Sequence, residues 1–350
     1  MRDVAVVGFA QRQMAEFDGS PTCVELLVPL LAECYEQTGF TRKDIGFWCS
    51  GSSDYLAGRS FSFVSAVDAI GVLPPVNESH VEMDAAWALY EAWIKIQTGE
   101  VDTALVYGFG KSSAGVLRRT LALQLDPYTM TPLWPDTVSL AGLQARTGID
   151  SGLWDERAMA EVANRSLTDA EKNDYAIRKG GSSVDELLER PMYADPLRKH
   201  DCAPVTDGAA AMVLAADPRA HDAVERPAWI SGFVHSADAL QLGGRDLTRS
   251  PSAARAGEAV GMAGVEVAEL HAPFSHQELI LRRELGLGDD VRINPSGGAL
   301  TSNPMFTSGL NRVGEAARRI WDGSADRVLG HATSGPALQQ NLVCVMGASK

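Results

Sequence analysis

Cysteine is scarce in this chain and shows no pairing pattern. Cys23, Cys34, Cys49, Cys202 and Cys344 are odd in number, far apart and without a Cys-x-x-Cys spacing. This argues against a disulfide framework or a cysteine-based metal centre and for free, buried thiols in a reducing cytoplasm. Positive charge is also short, with 31 Lys and Arg against 45 Asp and Glu, a net charge of −14 and a pI near 5.0. That balance disfavours nucleic acid or an anionic membrane as partner, although a local basic patch can still take an anionic ligand. No apolar run approaches the length of a membrane span and no apolar leader precedes the first strand, so neither spanning nor secretion is expected. What remains is 350 residues, 45% apolar and 22% charged, enough for a large core in one big or two intermediate domains.

The stretch from Asn77 to Lys111 reads as one helix followed by one strand. Leu89, Trp93 and Ile96 recur at helical spacing, and Ala85, Ala86, Ala88 and Ala92 fill most of the remaining circumference. A helix so rich in small residues belongs between two other layers. Gly99 ends it, and Thr103–Tyr107 is an apolar run of strand formers suited to burial on both faces. Glu82 lies three residues after Ser79, the spacing of a capping box.

Around this stretch, Val4–Phe9 predicts a buried opening strand. Ser20–Gly39 predicts a helix capped by Ser20, with Pro21 in its first turn and a kink at Pro29. Ile45–Cys49 is a second strand, Gly51–Arg59 a polar loop and Ser60–Ile70 a helix. Tyr55 and Arg59 on that loop reach a ligand or neighbouring subunit, or belong to a solvated turn. From about residue 115 to 199 the alternation breaks into strandless sequence with helices at Val138–Thr147 and Asp155–Asn164, as in a lid. Thr206–Leu214 and Pro227–Val234 are strands, and Pro251–Gly261 and Gly309–Trp321 helices. Asn341–Met346 is a closing strand with Cys344 in its core.

Several short motifs fall in one order: Ala88-Leu89, Thr98-Gly99, Gly108-Phe109-Gly110-Lys111, Asp207-Gly208-Ala209-Ala210-Ala211, Glu269-Leu270-His271-Ala272-Pro273-Phe274 and Asn294-Pro295-Ser296-Gly297-Gly298. In that order the chain resembles sterol-carrier-type thiolases. The resemblance implies an α/β chain with the thiolase fold: two doubly wound halves in a five-layer αβαβα arrangement with an inserted loop region. The N-terminal half is 1–220, including the loop region at about 115–199, and the C-terminal half is 221–350. It puts Glu82 where the family has its nucleophilic cysteine at a helix N-terminus, a place that favours a thiolate. Asn303 stands for the general-base histidine, and asparagine takes no proton near neutral pH. His271 keeps the position of an oxyanion-hole histidine, with Ala272 in place of the family's aspartate and His276 a weaker candidate nearby. Residues 327–335, including His331, occupy the place of the last catalytic loop. Ser296, Gly297 and Gly298 match a glycine turn near the acyl-CoA thioester and pantetheine.

Ordinary thiolysis needs a cysteine to hold the acyl group and an acid–base pair, and both are altered here. A donor such as His271 still suits an enolate-forming step. The departure resembles the lipid-transfer-protein group of actinobacterial steroid side-chain aldolases. That likeness implies retro-aldol cleavage of a β-hydroxyacyl-CoA to a ketone and a short acyl-CoA, with Glu82 or His331 as base and Asn303 positioning water or thioester. It implies a CoA thioester as substrate and no covalently bound cofactor, while the scattered free cysteines imply no metal and a cytoplasmic location. The partners implied are a second thiolase-like chain, itself or a paralogue, and an OB-fold, zinc-containing protein. Two alternatives stand beside it: a non-catalytic thiolase-like subunit kept for its dimer interface, and an acyl-CoA- or lipid-binding protein.

Overall fold

The computed structural model describes residues 2–15, 21–57, 60–71 and 77–350. Ser20 and Arg59 lie outside them. β1 (Val4–Met14) leads to α1 (Cys23–Thr38), capped by Thr22 in a capping box with Glu25 and closed by Gly39 in the left-handed region. α1 continues through Pro29 as one helix. β2 (Phe47–Gly51), the short α2 (Asp54–Ala57) and α3 (Ser62–Val67), β3 (Glu78–Val81), α4 (Ala85–Gln97) and β4 (Thr103–Gly110) follow. The excursion holds α5 (Leu117–Leu123), α6 (Thr137–Asp150), α7 (Glu156–Asp169) and α8 (Val184–Leu188). It also holds an antiparallel pair, β5 (Met192–Ala194) with β6 (Leu197–Arg198), where the sequence predicts no strand. β7 (Asp207–Ala216) returns to the core and α9 (Arg219–Ala223) connects it to β8 (Ala228–Ala237). α10 (Pro251–Val260), β9 (Val267–Glu269), α11 (Ser275–Glu284), β10 (Arg292–Ile293), α12 (Ser308–Trp321), β11 (Arg327–Ser334) and β12 (Gln340–Gly347) complete the chain.

The strand order β10-β9-β11-β12-β8-β1-β7-β4-β2-β3 reads alike from either end. β2 is parallel to β3 and β4, while β7 runs antiparallel to β4 and β1. In the same way β9 is parallel to β10 and β11, and β12 antiparallel to β11 and β8. The halves join through two residue pairs, Ala5 with Trp229 and Val6 with Ala228. An internal repeat invisible in the residues is therefore explicit in the topology.

Alternation along the strands builds the layers, because successive side chains leave a strand on opposite faces. Met212 and Leu214 of β7 join a central core with α4 and α12, while Ala211 and Val213 face α1 on the outside. β12 does likewise, with Leu342, Cys344 and Met346 inward and Val343 and Val345 outward toward α10 and α11. A bulge between Val6 and Gly8 shifts the phase of β1, so that Val4, Val6 and Phe9 share the inner face. The result is five layers with α4 and α12 in the middle. The capping-box reading of Ser79 and Glu82 is corrected: Ser79 belongs to β3, and α4 begins at its N-cap Asp84. Residues 327–334 form a buried strand, not a loop, because Val328 and Ala332 pack inward and Leu329 outward. Among the described residues no helix is long and apolar enough to cross a membrane.

Candidate active site

The N-termini of α4 and α12, one from each half, converge on one buried carboxylate. Asp84 accepts from Ala86 N at 2.9 Å, from Gly309 N at 3.0 Å and from Leu310 N at 3.1 Å. Two helix ends present unpaired N–H groups and partial positive charge, and Asp84 answers both. Burial nevertheless outweighs these bonds and raises its pKa. The Pro304–Phe306 segment threads against the N-terminal half, with Ala85 N donating to Phe306 O at 2.9 Å. Glycine is required opposite it: a Cβ at Gly110 would stand 2.1 Å from Met305 O, and one at Gly108 would stand 2.9 Å from Phe306 O.

Beside this junction lies the histidine expected from sequence. His271 follows β9, is 8% exposed, and its Nε2 lies 3.1 Å from Asn303 Oδ1. Ser308 Oγ donates to the same oxygen at 2.6 Å, and Thr333 N donates to His271 Nδ1 at 3.4 Å. An amide oxygen only accepts, so Nε2 carries the proton and Nδ1 does not. Burial first, and nearby His331 second, push the His271 pKa down to about 3, against the pull of the Asn303 bond. The imidazole is a neutral N–H donor at physiological pH. His271 and Asn303, two of the residues picked from sequence, thus meet.

Among the described residues no hydrogen bond joins the other candidates to that pair. His331 sits wholly buried in β11, with Nε2 2.9 Å from Asn341 Oδ1 and a pKa lowered by burial to about 4. His276 is held 3.1 Å from Gln144 Oε1 inside the outer core and is lowered by burial to about 3. Glu82 is open to solvent, with its side chain 56% exposed and 3.4 Å from His80 Nε2. His80 in turn contacts Ser50 Oγ at 2.9 Å and stacks on Phe63 at 4.7 Å. Ser296 Oγ donates to Glu269 Oε2 at 2.6 Å and accepts from Arg312 Nη1 at 2.6 Å, so this part of the turn is tied into the protein. Gly297 and Gly298 adopt φ of 93° and 64° there. Asp84, Ser308 and His80 were not foreseen. Asp84 left one signal, an N-capping residue immediately before an alanine-rich helix.

A two-halved, five-layer chain with its polar junction between the N-termini of the two central helices has the fold of thiolases, and it resembles thiolase-superfamily and sterol-carrier-type proteins along most of its length. It is 28% identical over 352 residues to an acetyl-CoA acetyltransferase of Methanocaldococcus jannaschii, covering 90% of this chain and 89% of that protein. To sterol carrier protein 2 of Homo sapiens it is 24% identical over 314 residues, 77% of this chain and 56% of that protein. Among solved structures, one described as Ltp2-ChsH2(DUF35) aldolase superposes with a TM-score of 0.81 at 17% identity, covering 99% and 98% of the two chains. Human mitochondrial 3-ketoacyl-CoA thiolase superposes with a TM-score of 0.80 at 14% identity, covering 100% and 99%. No family model matches the chain.

Proposed function

We propose that this chain is the thiolase-like subunit of a carbon–carbon lyase that cleaves a β-hydroxyacyl-CoA, a steroid side chain by resemblance, through a retro-aldol step. A base takes the β-hydroxyl proton, the Cα–Cβ pair moves into the thioester, and His271 Nε2–H turns from Asn303 Oδ1 to the enolate oxygen. The enolate carbon then takes up one proton, leaving a ketone and a short acyl-CoA. The observation that carries this reading is the neutral, N–H-donating His271 beside Asn303, where the position expected for a nucleophile holds no cysteine. Glu82 with His80 suits the base better than His331 does, since His331 has no exposed surface. The acyl-CoA would run past the Ser296–Gly298 turn, and an OB-fold, zinc-containing subunit would complete the complex. The two-component description of one structural neighbour supports a second subunit.

A second reading has its own observation. Asp84 already takes the N–H groups at both central helix ends, as expected of a chain kept as the non-catalytic partner of an active paralogue. The test is co-expression with thiolase-like and OB-fold partners, followed by an assay for ketone and short acyl-CoA release with His271→Ala and Glu82→Gln. Loss of cleavage in assembled complexes supports the lyase. Undiminished cleavage by both variants assigns the chemistry to the partner.

A further inference from the structure

α12 has two faces, and both are buried. Leu310, Val313, Ala317 and Ile320 enter the central core, while Ser308, Asn311, Glu315 and Arg318 recur at three- and four-residue spacing along the opposite side. Ser308 through Ala317 are all buried, so this polar face meets protein interior up to Arg318, which is partly exposed.

The face is continuous from the site to the far end of the helix. Ser308 bonds Asn303 at 2.6 Å. One turn on, Asn311 has no exposed surface, and neither its Oδ1 nor its Nδ2 has a hydrogen-bond partner among the described residues. Glu315 follows, accepting from Gln11 Nε2 and from Arg318 Nη1 at 3.0 Å. Gln13 Nε2 donates to Gln11 Oε1 at 2.6 Å, and the Oε1 of Gln13 is itself buried without a partner. Arg318 lies between the rings of Phe9 and Tyr175 at 4.9 and 5.0 Å. It lines an open groove of about 810 Å³ with Phe9, Gln37 and Trp321.

The geometry points to a chain of internal waters along this face, carrying protons between the Ser308 hydroxyl, beside the His271–Asn303 pair, and the groove, with Glu315 as the positioning and relay group. A buried amide with every bonding position open costs several kcal/mol unless water fills it. Polar groups one helical turn, about 5.4 Å, apart are within reach of a single bridging water. The functional part rests on the reading that the site moves protons: the proton leaving the β-hydroxyl and the one reaching the enolate carbon need a route when base and carbon are apart.

The test is exchange of the His271 Nε2–H with solvent, followed by NMR on protein carrying ¹⁵N-histidine, in wild type, Asn311→Leu and Glu315→Gln. In Asn311→Leu, exchange should slow by about tenfold or more, because it then needs a local opening. The isosteric Glu315→Gln should slow it too, and should lower kcat for cleavage with KM unchanged. Equal exchange in all three folded proteins overturns the path. A high-resolution crystal structure with no water on Asn311 overturns it as well. If wild type cleaves nothing, the lyase reading falls, while the exchange result still decides the path.

Discussion

Replacing His276 with glutamine tests the burial that distinguishes a structural from a working histidine. His276 is wholly buried beside Trp154, Phe274 and Gln144, and burial alone pushes its pKa down to about 3. In the unfolded chain the group titrates near its ordinary value of about 6.5. Between these values the unfolded state binds the proton and the folded state does not, so stability is intact above the higher value and falls with pH below it. At about 1.36 kcal/mol per pH unit, His276 should remove about 2 kcal/mol by pH 5 and about 3.4 kcal/mol by pH 4. Glutamine can donate to Gln144 Oε1 as the imidazole does but has no titration. Whatever His276→Gln costs at pH 7.5, the variant should recover about 2 kcal/mol relative to wild type at pH 5. Urea unfolding of both proteins at pH 7.5, 6 and 5 measures it. His271 and His331, lowered to about 3 and about 4, add to the acid lability of both proteins, and Asp84 and Glu269, both raised, oppose it. These contributions cancel in the difference. Parallel stability curves would refute the argument, showing that the folded protein protonates His276 as readily as the unfolded chain.

Gly110→Ala places a methyl 2.1 Å from Met305 O and should cost about 1–3 kcal/mol by overpacking, read as a lowered Tm. Arg312→Met leaves Glu269 buried without its cation at 3.0 Å. It should destabilise by about 3–5 kcal/mol, most of it regained in the double variant with Glu269→Gln, by denaturant titration. Asp84→Ala strips the acceptor from three backbone N–H groups and should cost about 2–4 kcal/mol in the same assay.

The fold was legible where burial imposes a period. The alanine-rich α4, the Asp207–Ala216 strand and the closing strand with Cys344 all follow from apolar runs or helical spacing, and the structure buries them. What failed has short-range causes. β3 is four residues long and half exposed, Glu-Ser-His-Val, with no apolar alternation to reveal it. The resemblance puts a loop at residues 327–335, yet β12 pairs with all of Arg327–Ser334 and β9 with Val328–Gly330, and these neighbours hold the segment as β11. At the site, the family resemblance brought out His271 and Asn303 separately, but their contact depends on a loop from one half lying against glycines of the other. Glu82, matched only by resemblance to the family's nucleophile position, lies before the α4 N-cap Asp84 and is exposed, since such a match fixes place in the chain and not the direction of a side chain.

The convergence of α4 and α12 sets what chemistry is open to this chain. Each helix N-terminus carries about half a positive charge, so two facing ends call for about one anion between them. A carboxylate at residue 84, when ionised, supplies it and accepts the N–H groups that would otherwise face a reacting oxygen. On the proposed reading an enolate formed here would rest on His271, once its Nε2–H leaves Asn303, unless Asp84 takes up a proton first, which its raised pKa favours. Protonated, Asp84 would loosen its hold on Gly309 and Leu310 and return their N–H groups to the site. A lyase working through the helix ends should therefore gain rate as pH falls toward the Asp84 pKa, whereas one relying on His271 alone should not. The pH dependence of kcat in wild type and in Asp84→Asn separates the two. A kcat with no rise toward acid in either protein assigns the enolate to His271, and a rise toward acid that is lost in Asp84→Asn assigns it to the helix ends.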